Sequence, residues 1–484
     1  MTTRRRKLKI VLYMFAILIV GLLLVVALLY GDVLSEPMMP FLRAEVVYTI
    51  MIVAFLIILL MFILIGVQAG RKVIVRPKND PNQIDEREEK TGGIQVAKEV
   101  VKEPTVIKIE TEAPKRKDDK SEQTDESRFF MLTQLDEKYK DYEAPKYVNK
   151  IGLEELCNQF RNFMSYKLHL YYNISDIRRF IASLSVSKIM ILQGMSGTGK
   201  TSLAYAFGEF LQNQTTVVPI QPMWKERTDL IGYYNEFTKK FNEGVLLQKI
   251  YEANYTDEIY ITVLDEMNIA RIEYYFAEFL SLLELPNLES RNLDVITDVW
   301  DNDPKLLNNG QLRLSKNMWF IGTANNDDST FAISDKVYDR AMVINLDTKA
   351  EPFEAPKTSP VKISCEHLEK IMETAKRNYT ISRRNLNRIK ALDSYMIANF
   401  HLTFGNRIMK QIKTYVPVFV ACGGDELEAI DDILARKVMR KLEAQNPVYV
   451  RNASEGLCNY LDEVFGIDKM PLCKEYILRI ARNA

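Results

Sequence analysis

Histidine is almost missing from this chain: three in 484 residues (His169, His367 and His401), none within a Ser or Cys pattern. A hydrolase triad therefore has no support. Cysteine is sparse as well. Cys157, Cys365, Cys422, Cys458 and Cys473 are odd in number and form no CxxC pair, which argues against a disulfide framework or a zinc site and suits a reducing compartment. An excess of either charge is also lacking. Lys+Arg 64 balance Asp+Glu 64, so a nucleic-acid coat or a polybasic membrane glue loses its simplest case. Residues 71–128 contain no aromatic side chain. The length itself exceeds what one core organises, and two or three folded units are expected.

Long uncharged runs are present. Ile10 to Tyr30 and Val46 to Val67 carry no charge over 21 and 22 residues. At about 1.5 Å per helical residue each reaches roughly 30 Å, the thickness of a bilayer core. Arg4, Arg5, Arg6, Lys7 and Lys9 precede the first run, and Arg71, Lys72, Arg76 and Lys78 follow the second. Lys/Arg stays cytoplasmic, which predicts a two-helix transmembrane hairpin over residues 1–70. Both termini would then be cytoplasmic, in a multi-pass protein of the cell membrane. Neither run holds an ionisable residue other than tyrosine, so it reads as an anchor rather than a transport path. Residues 71–128, with 14 Lys/Arg against 14 Asp/Glu, cannot bury enough apolar surface to order themselves. They read as a flexible tether, with one short strand expected around Thr105 to Ile109.

Folded character returns at Phe129, with helical spacing over 129–187. The apolar run Lys188 to Gln193 then leads into Gly194-Met195-Ser196-Gly197-Thr198-Gly199-Lys200-Thr201. This is GxxxxGK[ST] with a strand before it and a helix, Ser202 to Leu211, after it. Backbone N–H groups of such a loop wrap phosphates, and the helix N-terminus adds partial positive charge. Lys200 is placed for the β/γ-phosphates and Thr201 for Mg²⁺. A second run, Ile259 to Leu264, ends in Asp265-Glu266. Asp265 suits the metal, and Glu266 suits a base that orients water. A third run, Met318 to Ala324, ends at Asn325, whose amide could bond both the γ-phosphate and the water. Just before it, Leu306 to Leu314 reads as a β-hairpin.

Taken in order, Gly194–Thr201, Leu264–Ala270, Ile321–Asn325 and Ser334–Arg340 resemble the motifs of AAA+ ATPases, closest to the McrB-like and MoxR/dynein-related branch. The resemblance covers roughly residues 150 to 445. It implies an α/β P-loop NTPase fold: a parallel sheet with flanking helices as the nucleotide-binding core (188–350), an α-helical lid (351–445) and a helical tail (446–484). It assigns Walker A and B roles to Lys200, Thr201, Asp265 and Glu266, sensor 1 to Asn325, and an arginine finger acting on the neighbouring subunit to Arg340. An alternative for Arg340 is a surface salt bridge with Asp339. Phe404-Gly-Asn-Arg407 resembles sensor 2, with Arg407 on the γ-phosphate in cis; Arg383 and Arg384 compete for that role. The phosphate contacts assigned are Gly194 to Ser202 with Arg407. The segment Gln221 to Gly232 is similar to a family stretch facing a pore or a partner, with simple packing of Trp224 as the alternative.

The resulting expectation is a membrane-anchored ATPase using ATP and Mg²⁺ in a homo-oligomeric, hexameric ring, moving an unknown protein substrate near the membrane. GTP is the alternative nucleotide. Two other readings are a nucleotide-gated membrane scaffold with little turnover and a McrB-like GTPase motor serving a separate nuclease subunit. Resolved by segment, the neutral total is 6 Lys/Arg against 3 Asp/Glu in residues 1–70, 14 against 14 in 71–128, and 44 against 47 in 129–484. A slightly acidic catalytic part disfavours direct nucleic-acid binding.

Overall fold

The computed structural model describes residues 127–483, except 326–329 and 348–349. The expected spans 10–30 and 46–67, almost all of the tether and its short strand lie outside the described residues. Among the described residues no helix is long and apolar enough to cross a membrane. Arg128, expected as the last tether residue, is 2% exposed. Its guanidinium donates to both carboxylate oxygens of Asp303 at 2.8 and 2.7 Å and lies 4.5 Å from the Trp300 ring centroid. A paired and stacked arginine can be buried where a lone one cannot.

Helix α1 (Phe130–Lys138) follows. The N–H groups of Met131 and Leu132 donate to the Glu243 carboxylate at 2.8 and 2.7 Å, satisfying two donors that a helix start leaves unpaired. Helix α2 (Leu153–Phe163) runs into a π-helical turn ending at His169, and α3 (Ile174–Val186) leads to the sheet. The core then alternates strands and helices. Strand β1 (Ile189–Gly194) precedes α4 (Lys200–Phe210), and β2 (Thr216–Pro219) precedes α5 (Arg227–Ile231). A hairpin of β3 (Gly232–Asn235) and β4 (Lys240–Glu243) is inserted before α6 (Val245–Ala253).

Next come β5 (Tyr260–Asp265), the short helices α7 (Ile272–Tyr275) and α8 (Ala277–Leu282), and β6 (Asn292–Asp294). The expected hairpin near Gly310 is present as β7 (Leu307–Asn308) and β8 (Gln311–Arg313), and β6 adds a third strand beside β8. Strand β9 (Met318–Asn325), α9 (Asp335–Arg340) and β10 (Met342–Asn345) complete the core. Neither the β3–β4 hairpin nor β10 was expected from the sequence.

The main sheet has the order β10-β1-β9-β5-β2, and every pairing in it is parallel. Both faces are covered. Along β1, Met190 and Leu192 enter one core while Ile189 and Ile191 enter the other; Ile261 and Val263 oppose Tyr260 and Leu264 in the same way on β5. Two-sided burial is why these strands read as continuous apolar runs. On one face the core continues into α10 (Cys365–Asn378), α11 (Arg383–Phe400), α12 (Gly405–Ala421) and α13 (Glu426–Lys437). The tail folds as α14 (Pro447–Phe465) and α15 (Pro471–Asn483) against them.

A buried ionic cluster seats these helices on the core. Asp432 is fully buried, and Tyr415 donates its hydroxyl to it at 2.6 Å. Arg179 of α3 and Arg436 pair with the same carboxylate. Burial pushes the Tyr415 hydroxyl far above its usual range, which keeps it a donor.

Candidate nucleotide site

Parallel strands end together, so the polar residues at their tips gather along one edge. Gly194 of β1 lies in register with Asn325 of β9, and Leu264 of β5 with Gly322. Strand β9 separates β1 from β5, so Asp265 reaches the phosphate loop across it. The loop begins at the end of β1 and closes on Gly199, which takes φ +89 and caps α4. A Cβ at that position would meet the Tyr172 hydroxyl at 2.6 Å. That hydroxyl donates to the Gly199 carbonyl at 2.7 Å. Burial, and then Asp176, raise its pKa and hold it neutral. Glycine is required here by both the backbone and the contact.

Lys200 opens α4, 7% exposed, and its ammonium donates to the carbonyls of Gly194 and Met195 at 3.0 and 2.7 Å. The charge is thus held over the loop itself. Thr201 donates its hydroxyl to Asp265 Oδ1 at 2.8 Å, and Thr323 of β9 donates to the same oxygen at 2.7 Å. Thr323 Oγ1 also accepts the Glu266 N–H at 2.8 Å. One buried threonine therefore orients both acidic residues. Glu266 sits at φ 52, ψ 44, a left-handed conformation that costs energy for a side chain of its kind. Gly322 makes room for the side chain of the next residue: a Cβ there would lie 1.8 Å from Met267 Sδ.

Asn325 is fixed through its backbone. Asn268, 4% exposed, accepts from the Asn325 N–H at 3.3 Å and donates to its carbonyl at 2.9 Å. Sequence reasoning assigned no role to Thr323 or Asn268. The signal available was their place inside the quoted motifs, two residues before Asn325 and two after Glu266.

Ser202 follows in the first turn of α4, and Met195, Ser196, Gly197 and Thr198 form the loop crest, with Met195 72% exposed. Among the described residues no group of three or more His, Cys, Asp or Glu could hold a metal by itself. A hydroxyl and a carboxylate, Thr201 and Asp265, are hard oxygen donors. They fit Mg²⁺, which binds through few protein ligands plus phosphate and water.

Arg340 lies elsewhere. Its carbonyl accepts from the Ser187 hydroxyl at 2.8 Å, at the start of β1, whereas the loop leaves the far end of that strand. Six strand residues separate the two places, about 20 Å at ~3.3 Å each. Arg340 does not pair with Asp339 as the alternative reading had it. Its Nε donates to Glu284 Oε2 at 2.7 Å.

Arg407 is a correction. Expected on the γ-phosphate in cis, it pairs with the other oxygen of Glu284 at 2.8 Å. The cause is the direction of α12. Its C-terminal Cys422 carbonyl accepts from Arg178 near the start of α3. The two helices are antiparallel, and the N-terminus of α12 lies where α3 enters β1. Gln411 confirms this by donating to the Asp339 carbonyl at 3.1 Å. Arg383 and Arg384 begin α11 and make no contact with the loop residues described above.

The segment Gln221 to Gly232 is partly packing: Trp224 meets Tyr275 edge-on at 5.9 Å between centroids, while Met223 is 79% exposed. The histidines are structural. His169 and His401 end helices in left-handed conformations, and His367 Nε2 lies 3.0 Å from the Ile151 carbonyl.

A glycine-rich loop after β1, a hydrogen-bonded Thr–Asp pair, a neighbouring glutamate and a strand-tip asparagine on the intervening strand form the arrangement of a P-loop nucleotide-binding domain. Residues 189–341 match the family model of the AAA domain, dynein-related subfamily. No curated protein matches the chain. Among solved structures it is similar to a full-length MCM homolog from Methanopyrus kandleri, at 9% identity and a TM-score of 0.34. That likeness covers 63% of this chain and 61% of the other.

Proposed function

We propose that this protein is a membrane-anchored ATPase that works with Mg²⁺ as a ring of identical subunits, each nucleotide site being shared between two of them. The observation carrying this is the division of the catalytic groups: Lys200, Thr201, Asp265, Glu266 and Asn325 at one end of the sheet, Arg340 and Arg407 at the other. A single subunit cannot bring both to one nucleotide, whereas head-to-tail packing into a ring can.

In this reading the loop amides and Lys200 hold the β/γ-phosphates, while Thr201 and Asp265 hold Mg²⁺, which supplies charge neutralisation at the phosphates when bound. Glu266 accepts the proton of the attacking water, and Asn325 orients that water against the γ-phosphate. Thr323 keeps Asp265 and Glu266 in place. Arg340 of the adjacent subunit neutralises charge on the transferring phosphoryl group. The uncharged runs at 10–30 and 46–67, with basic flanks, support an anchor with this domain on the cytoplasmic side. Conformational change would then pass to the β3–β4 and β7–β8 hairpins, moving a protein substrate near the membrane.

The test is phosphate release by the full chain in detergent or vesicles. Wild type should turn over ATP with Mg²⁺, and Glu266→Gln should retain bound nucleotide without release. A wild type that binds ATP but releases no phosphate at saturation contradicts the reading and favours a nucleotide-gated scaffold.

A further inference from the structure

We infer that Glu284 is a positioning residue that yokes Arg340 and Arg407 into one cationic unit presented to the neighbouring subunit's nucleotide. The inference rests on the shared-site reading above. Glu284 follows α8 in a turn, carries no motif, and belongs to neither the phosphate loop nor the acidic pair. Its two oxygens nevertheless take different partners: Oε2 accepts from Arg340 Nε at 2.7 Å and Oε1 meets Arg407 NH2 at 2.8 Å. Two guanidiniums at such a distance repel. A carboxylate between them cancels that repulsion and fixes both in one geometry.

The yoke is partly open to solvent, with side-chain exposures of 32% for Glu284, 25% for Arg340 and 50% for Arg407. The remaining donors can therefore meet an incoming phosphate. Arg340 is restrained further along its own helix, its NH1 donating to the Lys336 carbonyl at 3.2 Å. The elements joined are distinct. Arg340 ends α9, Arg407 begins the lid helix α12, and Glu284 follows the helices after β5, the strand that bears Asp265. Glu284 is thus the point where core and lid agree on where the arginines point. Pairing of this kind at a surface adds little stability, so the role assigned to it is orientation.

The experiment uses full-length rings in detergent. Glu284→Ala should lower kcat by about tenfold to a hundredfold, as misplacing a catalytic group does, with KM for ATP, ring size and melting midpoint unchanged. Glu284→Gln preserves size and should lower kcat as well. Glu284→Ala combined with Arg340→Ala should be no worse than Arg340→Ala alone. Mixing Glu284→Ala with Lys200→Ala subunits should restore activity, because the second subunit offers an intact yoke to the first one's intact loop. A double variant that falls by the product of the single losses, or a mixture that stays inactive, overturns the inference. The reference mixture of Arg340→Ala with Lys200→Ala separates the two levels. If it recovers while the Glu284→Ala mixture does not, this inference alone falls; if neither recovers, the shared-site reading falls with it.

Discussion

The two ends of the main sheet are built differently. At the phosphate-loop end the groups are tied down by several bonds within the chain: Lys200 and Thr323 are 7% and 3% exposed, and Asp265 Oδ1 accepts two hydroxyls, while the Glu266 side chain stays open to solvent. At the other end Arg340 and Arg407 are partly exposed and share one exposed carboxylate, with Arg340 also bonded to the Lys336 carbonyl. The contrast is between an end whose groups are held by several internal bonds and an end whose two arginines share one carboxylate and keep donors open to solvent.

The sharpest way to break this comparison is to disable each end separately. Lys200→Ala should abolish nucleotide binding, measured with a fluorescent ATP analogue. Arg340→Ala should leave binding intact and reduce kcat by about 10³-fold or more, the usual worth of an arginine finger. Equal loss of binding in both would mean that the ends are not distinct.

Next in size is the lid seat. Asp432→Asn leaves the buried Arg179 and Arg436 facing a neutral amide. It should cost about 3 kcal/mol of stability, read as a lowered denaturant midpoint. The lid sets Arg407, so kcat should fall together with stability.

Thr323→Val tests the rigid end more finely. Losing the hydroxyl frees Asp265 and the Glu266 N–H, with about 1–3 kcal/mol lost in stability and up to about a hundredfold in kcat. Nucleotide affinity should change far less, which equilibrium titration would show.

The smallest effect concerns pH. Lys437 donates to the Tyr338 and Ala341 carbonyls at the end of α9, and burial lowers its pKa to about 7. The folded value lies below the unfolded one, so the unfolded chain binds the extra proton between about pH 7 and the ordinary lysine range. Stability should rise with pH across that window, and the penalty is present in full below it. Lys437→Met should flatten that slope in denaturant titrations, while the phosphate-loop end is unaffected.

Much of the rigid end was legible because strands buried on both faces produce apolar runs that stop at a polar tip. Gln193–Gly194, Leu264–Asp265 and Ala324–Asn325 all read that way. The exposed end was not legible. Strand β10 has four residues and follows Arg340 almost directly, and the β3–β4 strands are short and polar. Glu284 pairs with residues distant in sequence and sits in a turn without a pattern. Arg407 was misplaced because its motif fixes a helix start but not the direction in which that helix packs. Thr323 was hidden inside an apolar run, where its hydroxyl counted for nothing until β5 was seen beside β9.

The most direct measurement is phosphate release from rings assembled by mixing Lys200→Ala and Arg340→Ala subunits, each inactive alone. A site shared between subunits predicts that mixed rings regain a substantial share of wild-type activity, because some interfaces join an intact loop to an intact arginine. Mixed rings that assemble and stay inactive would contradict it.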